Sequence, residues 1–246
     1  MKVELTQCYI LHTRPFKDSS ALVECFSEEH GLVTLIAKGA KRPRSRMQGL
    51  VQPFMLLQVS WTGKAELKTL THIEAAALYP KLSGQKILLG WYLNELLIRM
   101  LQHQDAHPDL FREYDKTISA IAHSENENQL QMILRQFELK LLAELGYGLD
   151  LFHDAKTHAP IAPELLYSYD PNLGMYEVSS AGSIAQQLCV SGASLIALQT
   201  GVCENETQLK ETKKLMRFVL GHYLGNKPLQ SRKLFQSTIK GVSENA

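Results

Sequence analysis

The chain has 246 residues, 45% of them hydrophobic and 21% charged, an ordinary globular composition that excludes collagen-like, low-complexity and coiled-coil chains. That length suits one large domain or two to three small ones. The longest uncharged run, Val178 to Cys203, is dotted with Ser, Gln and Gly and lacks the ~20 mostly apolar residues of a membrane span.

The formal net charge of +1 hides an uneven distribution. Residues 1–80 carry 10 basic and 7 acidic groups, and residues 81–150 carry 7 and 10. Between 30 and 65 there is no Asp or Glu, whereas Lys38, Lys41, Arg42, Arg44, Arg46 and Lys64 all fall there. Between 207 and 240 eight Lys or Arg stand against Glu211 alone. Two basic concentrations on a near-neutral chain point to a polyanion surface. The opening segment (Met1 to Phe16) has no apolar core, so no secretory leader is expected. The cysteines at 8, 25, 189 and 203 form no CxxC pair and read as free thiols of a reducing compartment.

Five short runs rich in Val, Leu, Ile and Thr open the chain: Cys8 to Leu11, Ala21 to Phe26, Leu32 to Ala37, Phe54 to Trp61 and Glu66 to Ile73. In the last, Leu67, Thr69, Thr71 and Ile73 alternate with polar residues, the period of a half-buried strand. Arg14-Pro15, the segment ending at Gly31 and Thr62-Gly63-Lys64 supply turns between runs. Five short strands predict a small barrel, and the OB-fold is the commonest five-stranded solution that binds oligonucleotides.

Near Pro80 the period changes to that of a helix. Leu89, Leu93, Leu96, Leu97, Met100 and Leu101 form one stripe, and Leu130, Ile133, Leu134, Phe137, Leu141 and Leu145 another, stopped by Gly146 as a C-cap. A helix over 108–122 is expected between them, with Pro108 in its first turn. From 149 to about 180, Pro160, Pro163, Pro171 and Gly174 interrupt any pattern, which predicts an irregular, partly β insertion. Helices return at Ser191 to Leu198 and Glu206 to Tyr223, with a short last one over 229–239. The expected fold class is α+β. Its segments are a barrel domain over 1–80, a helical domain over 81–148, an insertion over 149–185 and the return of the helical domain over 186–246.

The main chemical feature is the run from Lys38 to Arg46, with five basic residues in nine. Gly39 and Pro43 keep it out of regular structure. Lys38, Lys41, Arg42, Arg44 and Arg46 can meet phosphates without a base code, or they can line a solvated hairpin loop. In the helix over 206–223, Lys210, Lys213, Lys214 and Arg217 recur at i, i+3, i+4 and i+7. That stripe suits phosphates or an acidic peptide, or is simply a solvated face. Arg232 and Lys233 follow it.

Catalytic patterns are poor. Thr62-Gly63-Lys64-Ala65 lacks the first Gly and the Ser/Thr of a P-loop. His103 with His107, and His153 with Asp154 and His158, have no nearby Cys to complete a metal site. GxSxG, HExxH and the dinucleotide fingerprint are absent. Phe16, Phe54 and Trp61 are candidate base-stacking residues whose simpler reading is core packing.

Several strings occur together in order: Leu32-Val33-Thr34-Leu35-Ile36-Ala37-Lys38-Gly39-Ala40-Lys41, Gln52-Pro53-Phe54, Glu66-Leu67-Lys68-Thr69-Leu70, Tyr92-Leu93-Asn94-Glu95-Leu96-Leu97, Arg135-Gln136-Phe137-Glu138-Leu139 through Leu145-Gly146-Tyr147-Gly148, and Tyr223-Leu224-Gly225-Asn226-Lys227-Pro228-Leu229 with Ser231-Arg232. As a set spanning nearly the whole chain they resemble the bacterial RecO family of recombination mediators. The resemblance implies an N-terminal OB-fold, a helical domain and, in many members, a zinc-finger-like insertion. It implies a non-enzymatic protein of the cytoplasm, associated with the nucleoid, that binds single- and double-stranded DNA and anneals complementary strands. The implied partners are RecR, in many bacteria RecF, and the acidic C-terminal tail of the single-stranded DNA-binding protein, with RecA helped indirectly and no membrane involved.

On this reading Lys38, Lys41, Arg42, Arg44, Arg46, Lys213, Arg217 and Arg232 are the candidate DNA-binding residues. Arg135 falls where the family has an arginine near the tail-binding pocket. It is therefore the candidate for the tail's carboxylates, unless it makes an intrahelical pair with Glu138 or Glu144. The cysteine pairs of the zinc-bearing members are missing after Gly148, so the insertion is expected to be metal-free and no cofactor is expected. Two alternatives remain. One is an adaptor that docks acidic partner tails with little direct DNA binding. The other is a metal-dependent hydrolase built on His153 and His158.

Overall fold

The computed structural model describes residues 2–64, 66–77, 81–178, 188–225, 227–231 and 234. The chain forms two compact units, one running to His123 and resuming at Pro228, the other Ser124–Lys227.

In the first unit β1 (Lys2–Phe16), β2 (Ser20–Ser27), β3 (Gly31–Ala37), β4 (Leu56–Thr62) and β5 (Lys68–Ala75) close into a barrel. The strand order is β1-β2-β3-β5-β4, with β4 returning to β1 and β3 parallel to β5. This is the five-stranded OB-type barrel. Residues alternating along the strands, among them Cys8, Ile10, Val23, Cys25, Val33, Leu35, Leu57, Val59 and Trp61, fill its interior.

β1 is much longer than the Cys8 to Leu11 run. Its first half pairs with β4 and its second with β2, with register shifts between Val3 and Thr6 and between Ile10 and His12. Bulges break the period-2 pattern from which a strand is read, so the flanking polar residues look like loop in the sequence. At the β2–β3 turn, Gly31 has φ +63, and a Cβ there would sit 1.8 Å from the Asp105 carbonyl oxygen; only glycine fits.

Two helices belong to this unit, α1 (Gln85–Met100) and α2 (Pro108–His123). The grouping cuts across the 81–148 segment of the sequence reading, and side chains on the barrel's outer face are the reason. Tyr9 and Phe26 are cross-strand partners, and both rings meet Phe111 and Tyr114 of α2 at 4.9–6.4 Å between centroids. Asn94 of α1 donates to the Leu11 carbonyl at 2.8 Å and accepts from the Tyr114 hydroxyl at 2.5 Å. A buried amide satisfied on both sides ties barrel and helices together. Later in the chain, the Glu95 carboxylate accepts from the backbone N–H of Gln230 and Ser231 and from the Ser231 hydroxyl.

The second unit holds α3 (Glu127–Glu144), β6 (Leu166–Asp170), β7 (Gly174–Glu177), β8 (Val190–Ser191), α4 (Gly192–Thr200) and α5 (Glu206–Leu224). Asn126, Ser191 and Asn205 cap α3, α4 and α5 by accepting from first-turn N–H groups. α3 ends as its sequence predicts. Gly146 has φ +81, and the Tyr147 and Gly146 N–H groups return to the Leu142 and Ala143 carbonyls, a Schellman closure. The irregular insertion contributes β6 and β7 to a three-stranded sheet ordered β7-β6-β8, which β8 completes from beyond it. The short helix read over 229–239 lies largely outside the described residues.

Candidate nucleic-acid interface

The segment joining β3 to β4 carries the basic run. Ala40, Met47, Leu50, Val51 and Met55 tuck against the barrel core, and a chain of turns holds the backbone. In it Lys41 N–H donates to the Ser19 carbonyl at 3.0 Å, and Arg42, Ser45 and Gln48 each donate three residues back. The apolar residues take the inner side, so Lys38, Lys41, Arg42, Arg44 and Arg46 are all exposed. None of the five side chains makes a hydrogen bond or ion pair with a described residue. A pinned backbone carrying five exposed cations, unpaired among the described residues, presents a concentrated positive surface. Of the candidate stacking residues, Trp61 is 1% exposed and belongs to the core.

The second unit brings together residues that are 78–82 positions apart. Arg135 of α3 is mostly buried, and its Nη2 lies 2.6 Å from Glu138 Oε1. Burial, and then the neighbouring guanidiniums of Arg135 and Arg217, pull the Lys213 ammonium below its ordinary value, against the weaker opposing pull of Glu127 and Glu138. Arg135 and Arg217 are therefore each near enough to Lys213 for their charges to act on it, and Arg135 makes the intrahelical pair with Glu138. Arg135 Nε is buried without a hydrogen-bond partner. Lys210 is instead paired with Glu206 at 2.8 Å. Arg232 lies outside the described residues.

In the insertion, Asp154 is 3% exposed and is the organising group. Its Oδ1 accepts from the Lys156 and Thr157 N–H groups and the Thr157 hydroxyl, and its Oδ2 from the Glu177 N–H. Burial alone would raise its pKa. The bonds from Thr157, Glu177 and Lys156 outweigh burial and hold it below the usual carboxylate range.

A cleft of about 450 Å³ opens beside the insertion, between the stacked rings of Tyr147 and Tyr223 and the side chains of His153 and His158. Asp150 there accepts from the Phe152 and His153 N–H groups and pairs with the His153 ring at 3.2 Å. The acids are thus committed to holding the loop. No three His, Cys, Asp or Glu side chains gather as metal ligands among the described residues, so the residues of the insertion do not fit a zinc ion. His107 pairs with Asp105 at 3.5 Å and has no metal-ligating neighbourhood either.

A closed OB-type barrel with a cationic β3–β4 segment, followed by a largely helical second unit, defines a barrel-plus-helix protein. Comparison with known proteins names the family. The profile described as Recombination protein O N terminal matches residues 1–79, and Recombination protein O C terminal matches residues 82–233. DNA repair protein RecO of Nitrosococcus oceani is 43% identical over 96% of this chain and 94% of its own. That of Azoarcus sp. is 36% identical over 97% and 98%, and that of Vibrio cholerae 40% identical over 95% and 94%. The chain belongs to the RecO family of DNA repair proteins. No helix among the described residues is long and apolar enough to cross a membrane.

Proposed function

We propose that this chain is a recombination mediator that binds single- and double-stranded DNA, anneals complementary strands and helps RecA load on DNA covered by the single-stranded DNA-binding protein. The observation that carries this reading is the β3–β4 segment, with five exposed cations that have no partner among the described residues. Complementary single strands repel each other through their phosphates. A surface that neutralises both lowers that repulsion and holds them at high local concentration, so pairing accelerates with no bond made or broken by the protein. The chain acts here as a mediator and not as an enzyme, with RecR, and RecF where present, as working partners in the cytoplasm.

The Arg135–Lys213–Arg217 cluster is the proposed docking place for the acidic tail of the single-stranded DNA-binding protein. The unpartnered Arg135 Nε and the depressed Lys213 support it, because a carboxylate satisfies both. Lys213 and Arg217 serve that docking and, with Arg232, DNA contact.

The experiment is fluorescence anisotropy of labelled single-stranded DNA across a salt series, with a strand-annealing assay alongside. Tight binding at low salt that falls steeply with salt, together with accelerated annealing, is the expected result. Salt-insensitive or undetectable DNA binding, with tail-peptide binding intact, would replace the mediator with an adaptor of acidic tails.

A further inference from the structure

Lys68 starts β5 and is 4% exposed. Its Nζ makes one long hydrogen bond, to the Glu66 carbonyl at 3.4 Å, and no ion pair with a described residue. An ammonium taken out of water is strongly disfavoured unless a countercharge and good hydrogen bonds replace its hydration, and this one has neither.

Lys68 lines a cavity of about 130 Å³ in the barrel unit, with Glu29, His30, Val33, Trp61 and Gln104. The other walls repeat the imbalance. The Trp61 indole Nε1 has no hydrogen-bond partner, although its ring meets that of His30 at 5.2 Å. The Gln104 side-chain amide makes no hydrogen bond with a described residue. The one acid of the lining, Glu29, is largely exposed and lies 3.8 Å from the His30 ring. A buried ammonium with one long bond, an unpartnered indole N–H and a side-chain amide with no bond to a described residue thus surround one small space, and none of the five cations of the β3–β4 segment lines it.

We propose that this cavity binds a phosphate monoester dianion. Its size selects the group. At about 130 Å³ it is well below the ~300 Å³ at which pockets for whole small molecules begin, and it has room for about four waters. One tetrahedral group fits within it. Charge selects the monoester, which carries about −1.5 to −2 at pH 7 and offers three oxygens, against a single charge and two free oxygens for a diester within a strand. The dianion supplies the countercharge Lys68 lacks and acceptors for Gln104 and, after a small shift of its ring, Trp61. The phosphate is either a strand end or free in solution.

The test is thermal unfolding of the full chain in inorganic phosphate against chloride at matched ionic strength, for wild type, Lys68→Met and Gln104→Asn. Gln104 has φ +61, which Asn tolerates while shortening the reach of the amide. At a hundredfold excess over its Kd, phosphate raises the wild-type midpoint by about 5 °C. Lys68→Met shows no such rise, and in chloride it melts no lower than wild type, because a buried charge without a partner has been removed. Gln104→Asn binds phosphate about fivefold more weakly. The proposal falls if phosphate leaves the wild-type midpoint unmoved, if Lys68→Met responds like wild type, if Lys68→Met melts well below wild type in chloride, or if Gln104→Asn binds phosphate as tightly as wild type.

Oligonucleotides ending in a 5′- or 3′-phosphate or a hydroxyl separate the sources. A preference of about tenfold for a phosphorylated end, lost in Lys68→Met, assigns the site to strand ends. No preference with the inorganic phosphate shift intact assigns it to free phosphate. A variant lacking the β3–β4 cations keeps the inorganic phosphate shift, so failure of the DNA reading and failure of this one are told apart.

Discussion

Arg135 Nη2 lies 2.6 Å from Glu138 Oε1, and the Glu138 side chain is wholly buried. The guanidinium therefore holds the helix together as well as offering its Nε to a ligand, and the two roles separate by mutation. Arg135→Ala removes the guanidinium from beside a wholly buried carboxylate and costs about 3 kcal/mol of stability in chemical denaturation. Lys213 is at the surface; Lys213→Ala leaves stability within about 0.5 kcal/mol while weakening binding of an acidic tail peptide about tenfold by calorimetry. Equal peptide affinity in Lys213→Ala and wild type would remove the cluster from tail docking.

The β3–β4 segment owes its shape to Ala40, Met47, Leu50 and Val51 and not to its cations. Replacing Lys41, Arg42, Arg44 and Arg46 with Ala leaves the melting curve nearly unchanged. If all four meet phosphate, the slope of log K against log salt for single strands flattens by about 3. An unchanged slope would move the DNA surface elsewhere.

Asp154 joins two stretches of the insertion, 154–157 and the strand ending at Glu177, through one carboxylate. Asp154→Ala leaves the Lys156, Thr157 and Glu177 N–H groups without an acceptor and costs about 1–3 kcal/mol, read as faster hydrogen exchange at those amides. The pH dependence follows from the lowered pKa. Asp154's contribution is present above the unfolded value of about 3.9 and is lost as pH falls through the lower folded value. The same amides keep their protection at pH 5 in wild type and lose it only in stronger acid.

Asn94 is 2% exposed and bonds both the Leu11 carbonyl and the Tyr114 hydroxyl. Asn94→Ala breaks the link between barrel and helices, with an expected cost of about 2 kcal/mol by denaturant unfolding. Asn94→Leu, which fills the volume without restoring either bond, does not recover it.

Local order was legible in the amino-acid sequence because period, caps and turn residues are local properties. The leucine stripes of α1 and α3, the Gly146 closure and the exposed run from Lys38 to Arg46 each depend on near neighbours, whereas the alternation read from Leu67 to Ile73 fails at its start, where Leu67 is exposed and Lys68 and Leu70 are buried. The bulged length of β1 was hidden because its pairing switches from β4 to β2 partway along. What only the tertiary structure decided are relationships between distant residues. They include the parallel closure of β3 on β5, the packing of Phe111 and Tyr114 on Tyr9 and Phe26, and the meeting of Arg135 with Lys213 and Arg217. The enclosure of Lys68 beside Trp61 belongs with them. The LKTL string reads as a half-buried strand with its lysine outward. The barrel turns that lysine inward, because closing the sheet sets which face of β5 is covered, and no local pattern carries that information.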